Sequence, residues 1–153
     1  MGQKKKMELR EEFREKTEEE IADILQERMK GTFGDFLGMK ILKCKPGYCL
    51  TEFEIKADYL NPMGGVHGGL MFTIADNTAG LASLDLTGEG IVTTINGGLQ
   101  FLNPALYKTK LYSEATVLKS GKRIVYTDVL IRDEEHKIYA KGTYIFARIV
   151  LKK

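Results

Sequence analysis

The longest apolar stretch of the chain predicts one buried helix. From about residue 67 to residue 86 most side chains are apolar or small, and the run is too long for an ordinary strand. A helix that is apolar on nearly all sides is normally buried. Four glycines stand at the beginning of this stretch and predict a tight loop leading into the helix: Gly64, Gly65, Gly68 and Gly69.

Shorter segments with alternating or β-branched apolar residues predict about six strands. They cover residues 39–44, 50–59, 91–102, 111–118, 124–132 and 138–150. Within residues 50–59 apolar and charged side chains alternate, which indicates a strand with one buried and one wet face. Long antiparallel strands with a single apolar helix predict an α+β fold, in which a curved sheet wraps around the helix.

The first thirty residues are rich in charge but carry a regular apolar pattern. Every fourth position is apolar except one, which holds Thr17; the others are Leu9, Phe13, Ile21, Leu25 and Met29. This spacing predicts an amphipathic helical extension over residues 1–30, on the surface of a domain over residues 31–153 or at a subunit contact. Thr17 and Glu20 match a capping box, so a second helix can begin there and the extension can be two helices.

Composition and charge limit the class of protein. The chain has 153 residues, the size of one domain, and its formal net charge is only +2, from 23 basic and 21 acidic residues. This balance does not indicate a nucleic-acid-binding protein, and the basic cluster Lys4–Lys6 is followed by several acidic residues.

The cysteines and the N-terminal sequence indicate neither a metal site nor export. Cys44 and Cys49 are the only cysteines, and they cannot supply the four ligands of a zinc site, so we expect reduced core residues and no metal. The N-terminal lysines precede charged residues rather than an apolar segment, which predicts no signal peptide. We expect a cytoplasmic protein without a membrane span.

Candidate chemistry lies at the beginning and in the middle of the predicted helix. Asp76 has no cation within one turn, so its carboxylate is either hydrogen-bonded to neighbouring groups or available for chemistry. His67 is either a loop histidine with satisfied hydrogen bonds or a catalytic residue. The free N–H groups at the helix start, near Gly68 and Gly69, can hold an oxygen that becomes negative. Together these groups indicate an acyl-transfer site.

The combination of Asn61, the His67-Gly68-Gly69 motif and Asp76, followed by four strand-like segments, resembles the hotdog-fold thioesterases. Within them it is most similar to the phenylacetyl-CoA thioesterase-like group, over residues 36–149. The resemblance implies a hotdog fold and a homodimer, or a dimer of dimers, with active sites between subunits.

The resemblance also implies roles for these residues. Gly68, together with Gly69, would donate a backbone N–H to the thioester oxygen. Asp76 of the partner chain would activate water or attack the thioester carbon, and the sequence leaves both alternatives open. Asn61 would position the substrate carbonyl or the water, and His67 would mainly hold the loop and contact the substrate.

Further residues are assigned by the same resemblance or by their residue type. A polar residue on the strand after the helix would assist the carboxylate, and Thr94 is the best match, with Thr93 as the alternative, since a shift of one residue would turn the other side chain inward. Gly97 and Gly98 would admit the pantetheine arm or make room for the helix. The coenzyme A phosphates would meet cations around the Ser120-Gly121 turn: Lys119, Lys122 and Arg123.

The function that follows from the resemblance is that of an acyl-CoA thioesterase, which releases a carboxylic acid and free coenzyme A. No cofactor is expected, because coenzyme A is part of the substrate. The alternatives are a hotdog-fold enoyl-CoA hydratase or dehydratase, and a non-catalytic acyl-CoA-binding protein.

Overall fold

Six strands and one long helix form the core of the protein. A computed structural model describes residues 12–86 and 90–150. The helices are α1 (Glu18–Met29), α2 (Phe33–Phe36) and α3 (Gly68–Ser83), with a short 3-10 helix at Ala57–Tyr59. The strands are β1 (Lys40–Lys45), β2 (Tyr48–Glu54), β3 (Gly90–Phe101), β4 (Lys110–Ser120), β5 (Ile124–Arg132) and β6 (Ile138–Val150).

The strands form one antiparallel sheet in the order β1-β2-β4-β5-β6-β3. Helix α3 packs on one face of this sheet and contacts all six strands. Its buried face includes Leu70, Ile74 and Ala79, which lie against the apolar inner face of the strands. The predicted α+β arrangement is therefore confirmed. Among residues 12–86 and 90–150, strand β3 pairs only with β6, and its other side forms an edge of the sheet.

Buried hydroxyl groups also join α3 to the sheet. Thr78 Oγ1 lies 2.9 Å from Thr51 Oγ1 of β2, and Ser83 Oγ lies 2.7 Å from Thr127 Oγ1 of β5. All four residues are buried. Because buried polar groups are costly without a partner, these pairs favour one position of the helix on the sheet.

Two expectations about the elements are wrong. Helix α3 is not buried on all sides, since Phe72 is 37% exposed, because the sheet covers only one face of the helix within this chain. The strand predicted over residues 50–59 ends at Glu54, and the Tyr59 N–H bonds to the Lys56 carbonyl in a 3-10 turn. The alternating pattern continues there, but the chain must leave the sheet to reach the beginning of α3.

The predicted capping box of α1 is present. The Glu20 N–H donates to Thr17 Oγ1 at 3.1 Å, and the Thr17 N–H donates to the Glu20 carboxylate at 2.8 Å. Glu15 has a φ of 60°, so helix α1 begins after a break instead of continuing from the residues before it. Leu9 of the predicted apolar pattern and the basic cluster Lys4–Lys6 lie outside the described part of the chain.

Helix α1 packs on the β1 side of the sheet. Its buried residues are Ile21, Ala22 and Leu25, and Phe13 from the preceding segment is buried as well. The four-residue apolar pattern thus marks the face of the helix that meets the domain. Within residues 12–86 and 90–150, no helix is long and apolar enough to cross a membrane.

Candidate active site

The loop before α3 is closed by hydrogen bonds from Asn61. The Asn61 N–H donates to the Gly65 carbonyl at 2.7 Å, and its side-chain oxygen accepts from the Met63 N–H at 2.9 Å. Asn61 Nδ2 donates to the Val66 carbonyl at 3.3 Å. Gly64 has a φ of +83°, a conformation that favours glycine, so this residue type suits the turn. Asn61 therefore holds the loop, and the role toward the substrate carbonyl or water that the resemblance implies for it stays a prediction.

His67 is the N-cap of α3. Its Nδ1 accepts the Gly69 N–H at 2.9 Å, and its own N–H donates to the Tyr59 carbonyl at 2.8 Å. The Gly69 N–H is thus already bonded to a side chain. The Gly68 N–H, at the first position of the helix, has no hydrogen-bond partner in the described residues. Of the two predicted oxyanion donors, Gly68 is the one whose N–H is free.

Asn61 and Gly68 line one cavity of about 340 Å³, which also includes Phe101, Asn103 and Pro104. The Phe101 ring lies directly over Gly68, because a Cβ atom added to Gly68 would lie 3.2 Å from the ring carbon Cζ. The free N–H thus lies beside an aromatic side chain that is itself more than half exposed. Because Gly68 has no side chain, the Phe101 ring can lie close to its backbone.

Asp76 lies in the C-terminal half of α3, and its carboxylate accepts a hydrogen bond from Thr94. Thr94 Oγ1 of β3 donates to Asp76 Oδ1 at 2.8 Å. Of the two threonines predicted as partners of this carboxylate, Thr94 makes the contact. Asp76 is only half-buried, which differs from the expectation of a carboxylate in a helix that is buried all round. The reason is that Asp76 meets the sheet only at its edge strand β3 and otherwise borders a cavity.

This second cavity has a volume of about 540 Å³. Asp76, Asn77, Thr93 and Thr94 form part of its wall. Most of the remaining wall is apolar. The apolar side chains come from α1, α3, β3, β6 and the segment after α3: Leu25, Met29, Leu81, Leu84, Val92 and Phe146. The volume is within the range of roughly 300–1,000 Å³ that is usual for small-molecule sites.

The contribution of α1 to this wall was missed at the sequence level. Leu25, Arg28 and Met29 line the cavity, and Arg28 also forms an ion pair with Glu12 and lies 5.3 Å from the centre of the Phe13 ring. The apolar pattern of residues 1–30 indicated a face that packs on the domain. It carried no signal for which part of the domain that face meets.

Gly68 and Asp76 of one chain are too far apart to contact the same small chemical group. They are eight residues apart on α3, which corresponds to roughly 12 Å along the helix axis at 1.5 Å per residue. They also line different cavities. A carbonyl oxygen held by Gly68 would be far from the carboxylate of the same chain.

The two glycines of β3 differ in their surroundings. A Cβ atom at Gly97 would lie 2.7 Å from two carbons of the Tyr144 ring and 3.0 Å from Phe72 Cζ. Gly97 therefore leaves room for the Tyr144 ring of β6 and the Phe72 ring of α3. A Cβ atom at Gly98 would meet nothing within 4 Å, so the space beside Gly98 is open.

The predicted phosphate-binding cations lie around the β4–β5 turn. Lys119, Lys122 and Arg123 are exposed there. Arg148 of β6 donates to Ser120 Oγ in this turn at 2.7 Å and to the Asp85 carboxylate, just after α3, at 2.8 Å. The turn thus lies at the C-terminal end of α3, where Leu84 also lines the Asp76 cavity.

Comparisons with known proteins find thioesterase relatives of this chain. The model of the thioesterase superfamily matches residues 63–140, about half of the chain. Human acyl-coenzyme A thioesterase 13 is 27% identical over 105 residues, which cover 68% of this chain and 75% of that protein. The acyl-coenzyme A thioesterase PaaI of Escherichia coli is 26% identical over 105 residues, which cover 68% of this chain and 73% of the relative.

Solved structures show the same fold. A thioesterase from Haemophilus influenzae superposes with a TM-score of 0.78 at 21% identity, covering 86% of this chain and 92% of the other. The E. coli PaaI structure superposes with a TM-score of 0.76 at 23% identity, covering 82% and 90%. The hotdog fold and the likeness to the phenylacetyl-CoA thioesterase-like group, both expected from the sequence, are confirmed.

Proposed function

This chain belongs to the thioesterase superfamily, and we propose that it hydrolyses an acyl-CoA thioester to a carboxylic acid and free coenzyme A. The observation that carries the proposal is the Asp76 carboxylate, which Thr94 orients at the wall of a largely apolar cavity. The relatives named as acyl-coenzyme A thioesterases support the choice of substrate class.

The proposed reaction uses water, one carboxylate and one backbone N–H. The Gly68 N–H binds the thioester oxygen and stabilises the negative charge that develops on it. Asp76 takes a proton from water while the water oxygen bonds to the thioester carbon. The carbon–sulfur bond then breaks, and the thiolate of coenzyme A receives the proton. In the alternative, an Asp76 oxygen bonds to the thioester carbon and displaces the thiolate of coenzyme A, which gives a mixed anhydride. Water then hydrolyses the anhydride to the carboxylic acid and restores the Asp76 carboxylate, and the proton that is released goes to the thiolate.

This mechanism requires two copies of the chain. Gly68 and Asp76 of one chain are too far apart, so each site combines Gly68 of one protomer with Asp76 of its partner. Strand β3 is an edge strand of twelve residues, unpaired on one side within the part of the chain that the structure describes, and it has exposed apolar side chains, including Ile91, Ile95 and Phe101. Because such an edge is a template for pairing with another chain, it supports self-association as a dimer or a dimer of dimers.

The surroundings of Asp76 favour an apolar acyl group. Six of the fourteen residues that line the cavity are Leu, Met, Val or Phe, and these side chains would bind an aliphatic or aromatic group by burying its surface. The polar end of coenzyme A would extend outward from this cavity toward the C-terminal end of α3, where the β4–β5 turn lies. Its phosphates would meet Lys119, Lys122 and Arg123 at the exposed β4–β5 turn.

The position of His67 argues against a hydratase. His67 Nδ1 is occupied by the Gly69 N–H, and His67 is nine residues from Asp76 in the chain. Because Nδ1 accepts this N–H, the neutral His67 ring carries its proton on Nε2 and has no free lone pair with which to abstract a proton beside a carbonyl, in its own chain or across a shared site.

A panel of acyl-CoA thioesters with aromatic, short and medium acyl groups tests the proposal, with released thiol as the measured product. The Asp76→Asn variant keeps the shape of the side chain, so we expect hydrolysis to fall at least about a hundredfold, the low end for a positioned acid–base group. Binding of acyl-CoA should persist. A parent protein that binds acyl-CoA without releasing thiol would instead be a binding protein.

A further inference from the structure

Tyr144 makes a hydrogen bond to the helix turn that carries Asp76. Its side chain is fully buried on β6, and its hydroxyl donates to the Phe72 carbonyl of α3 at 3.0 Å. In an α-helix the N–H of each residue bonds to the carbonyl four residues earlier. The Phe72 carbonyl is therefore also the acceptor of the Asp76 N–H, and its two lone pairs serve both donors.

The ring of Tyr144 has a defined place between α3 and β3. It packs against the Phe72 ring with centroids 5.2 Å apart, and it occupies the space in front of Gly97, where a Cβ atom would lie 2.7 Å from two ring carbons. A residue larger than glycine at this position would have to displace the ring. Tyr144 is thus held by the helix on one side and by the strand on the other.

A β-bulge brings Gly97 and Thr94 to the same face of β3. The pairing with β6 shifts between Thr94 and Asn96, so Ile95 has no partner. Thr94 lies opposite Phe146 and Gly97 lies opposite Tyr144, two inward-facing residues of β6. In a regular strand, residues three apart face opposite sides. The bulge therefore sets Thr94 against Asp76 and Gly97 against Tyr144.

We propose that Tyr144 is a positioning residue for Asp76, and that Gly97 leaves the space which this role requires. The hydroxyl of Tyr144 holds the Phe72 carbonyl, and through it the helix turn, at the distance from β3 at which Thr94 reaches the carboxylate. Burial raises the pKa of Tyr144, and the nearby charge of Asp76 raises this pKa further by a smaller amount. The inference rests on the proposed function of Asp76.

The Tyr144→Phe variant removes only the hydroxyl and keeps the ring. Tyr139→Phe is a matched control, because Tyr139 is a buried tyrosine of the same strand whose hydroxyl bonds to the Asp133 carboxylate, at 3.2 Å, in the β5–β6 turn. We expect Tyr144→Phe to lower kcat by roughly tenfold, less than the hundredfold that a 1 Å misplacement can cost. KM should stay within about twofold, and Tyr139→Phe should keep the kcat of the parent.

All rates are measured well below the melting temperature and divided by the folded fraction from circular dichroism, so that a loss of folded protein does not count as a loss of kcat. In a Thr94→Val background, Tyr144→Phe should have a smaller effect than in the parent, because both changes disturb the same carboxylate. A kcat equal to that of the parent, or equal effects of Tyr144→Phe in both backgrounds, would overturn the inference.

A spectroscopic measurement separates this inference from the proposed function. The carboxyl ¹³C signal of Asp76, assigned by its absence in Asp76→Asn, should move in Tyr144→Phe and stay in place in Tyr139→Phe. This result supports the positioning role even if the parent hydrolyses no acyl-CoA, in which case only the proposed function fails. An Asp76 signal that is unchanged in Tyr144→Phe contradicts the positioning role.

Discussion

The hydroxyl of Thr94 donates a hydrogen bond to the carboxylate of Asp76, at 2.8 Å, and joins the edge strand β3 to the central helix α3. The two residues are eighteen positions apart in the chain. Their contact lies in the wall of the cavity beside α1. Because a carboxylate that accepts a hydrogen bond is held in one orientation, this pair defines the direction in which Asp76 can act.

Thr94→Val removes this hydrogen bond while almost preserving the shape of the side chain. We expect kcat to fall roughly tenfold or more, since general acid–base groups lose efficiency when they are not held in place. Thr93→Val is the matched control and should have a smaller effect, because Thr94 makes the hydrogen bond to Asp76. Equal losses in the two variants would show that the hydroxyl of Thr94 has no special role. Steady-state kinetics with one acyl-CoA measures both.

Gly68→Pro removes the proposed oxyanion donor. Proline is tolerated at the first position of a helix, so we expect the protein to fold. Turnover should fall roughly 10²- to 10³-fold, the usual cost of one lost donor. Gly68→Ala controls for crowding, because it keeps the N–H but places a Cβ atom 3.2 Å from the Phe101 ring. If alanine is as damaging as proline, crowding and not the N–H explains the loss.

Mixing two inactive variants tests the shared site. Gly68→Pro damages one half of each site and Asp76→Asn damages the other half. After unfolding and joint refolding, we expect about a quarter of the parent activity, because half of randomly formed dimers are mixed and each has one intact site. Native mass spectrometry confirms that mixed dimers form. Mixed dimers without activity would mean that both groups come from the same chain.

The raised pKa of Tyr144 predicts that the protein loses stability at alkaline pH. Burial, and secondarily the charge of Asp76, raises the pKa of this tyrosine above its ordinary value of 10.0. The unfolded chain therefore releases the Tyr144 proton at lower pH than the folded chain. The stabilisation is fully present below pH 10 and is lost as the pH rises through the raised pKa.

The free energy of unfolding of the parent should therefore fall faster above pH 10 than that of Tyr144→Phe, by up to about 1.4 kcal/mol per pH unit for one proton. Urea unfolding of both proteins, at pH values from about 8 to about 11, measures the difference in the free energy of unfolding. A constant gap between the two curves across this range would mean that Tyr144 ionises equally in both states.

The local patterns of the sequence were sufficient for the main elements and for part of the site. The apolar run predicted α3, and the Thr17 and Glu20 spacing predicted the capping box at the beginning of α1. These features depend on hydrogen bonds and side-chain periods within a few residues, so they can be seen in the chain itself. The same is true of the free N–H at Gly68, which follows from its place at a helix start.

Contacts between distant segments were decided only by the tertiary structure. Strand register decides that Thr94, and not Thr93, contacts Asp76. Gly97 lies on the same face of β3 as Thr94 only because of the bulge at Ile95, and no local sequence pattern predicts this bulge. Asp76 is partly exposed and lines the same cavity as Met29, and both features depend on where α1 packs. Such features arise from the relative positions of elements far apart in the chain, whereas periodicity describes each element alone.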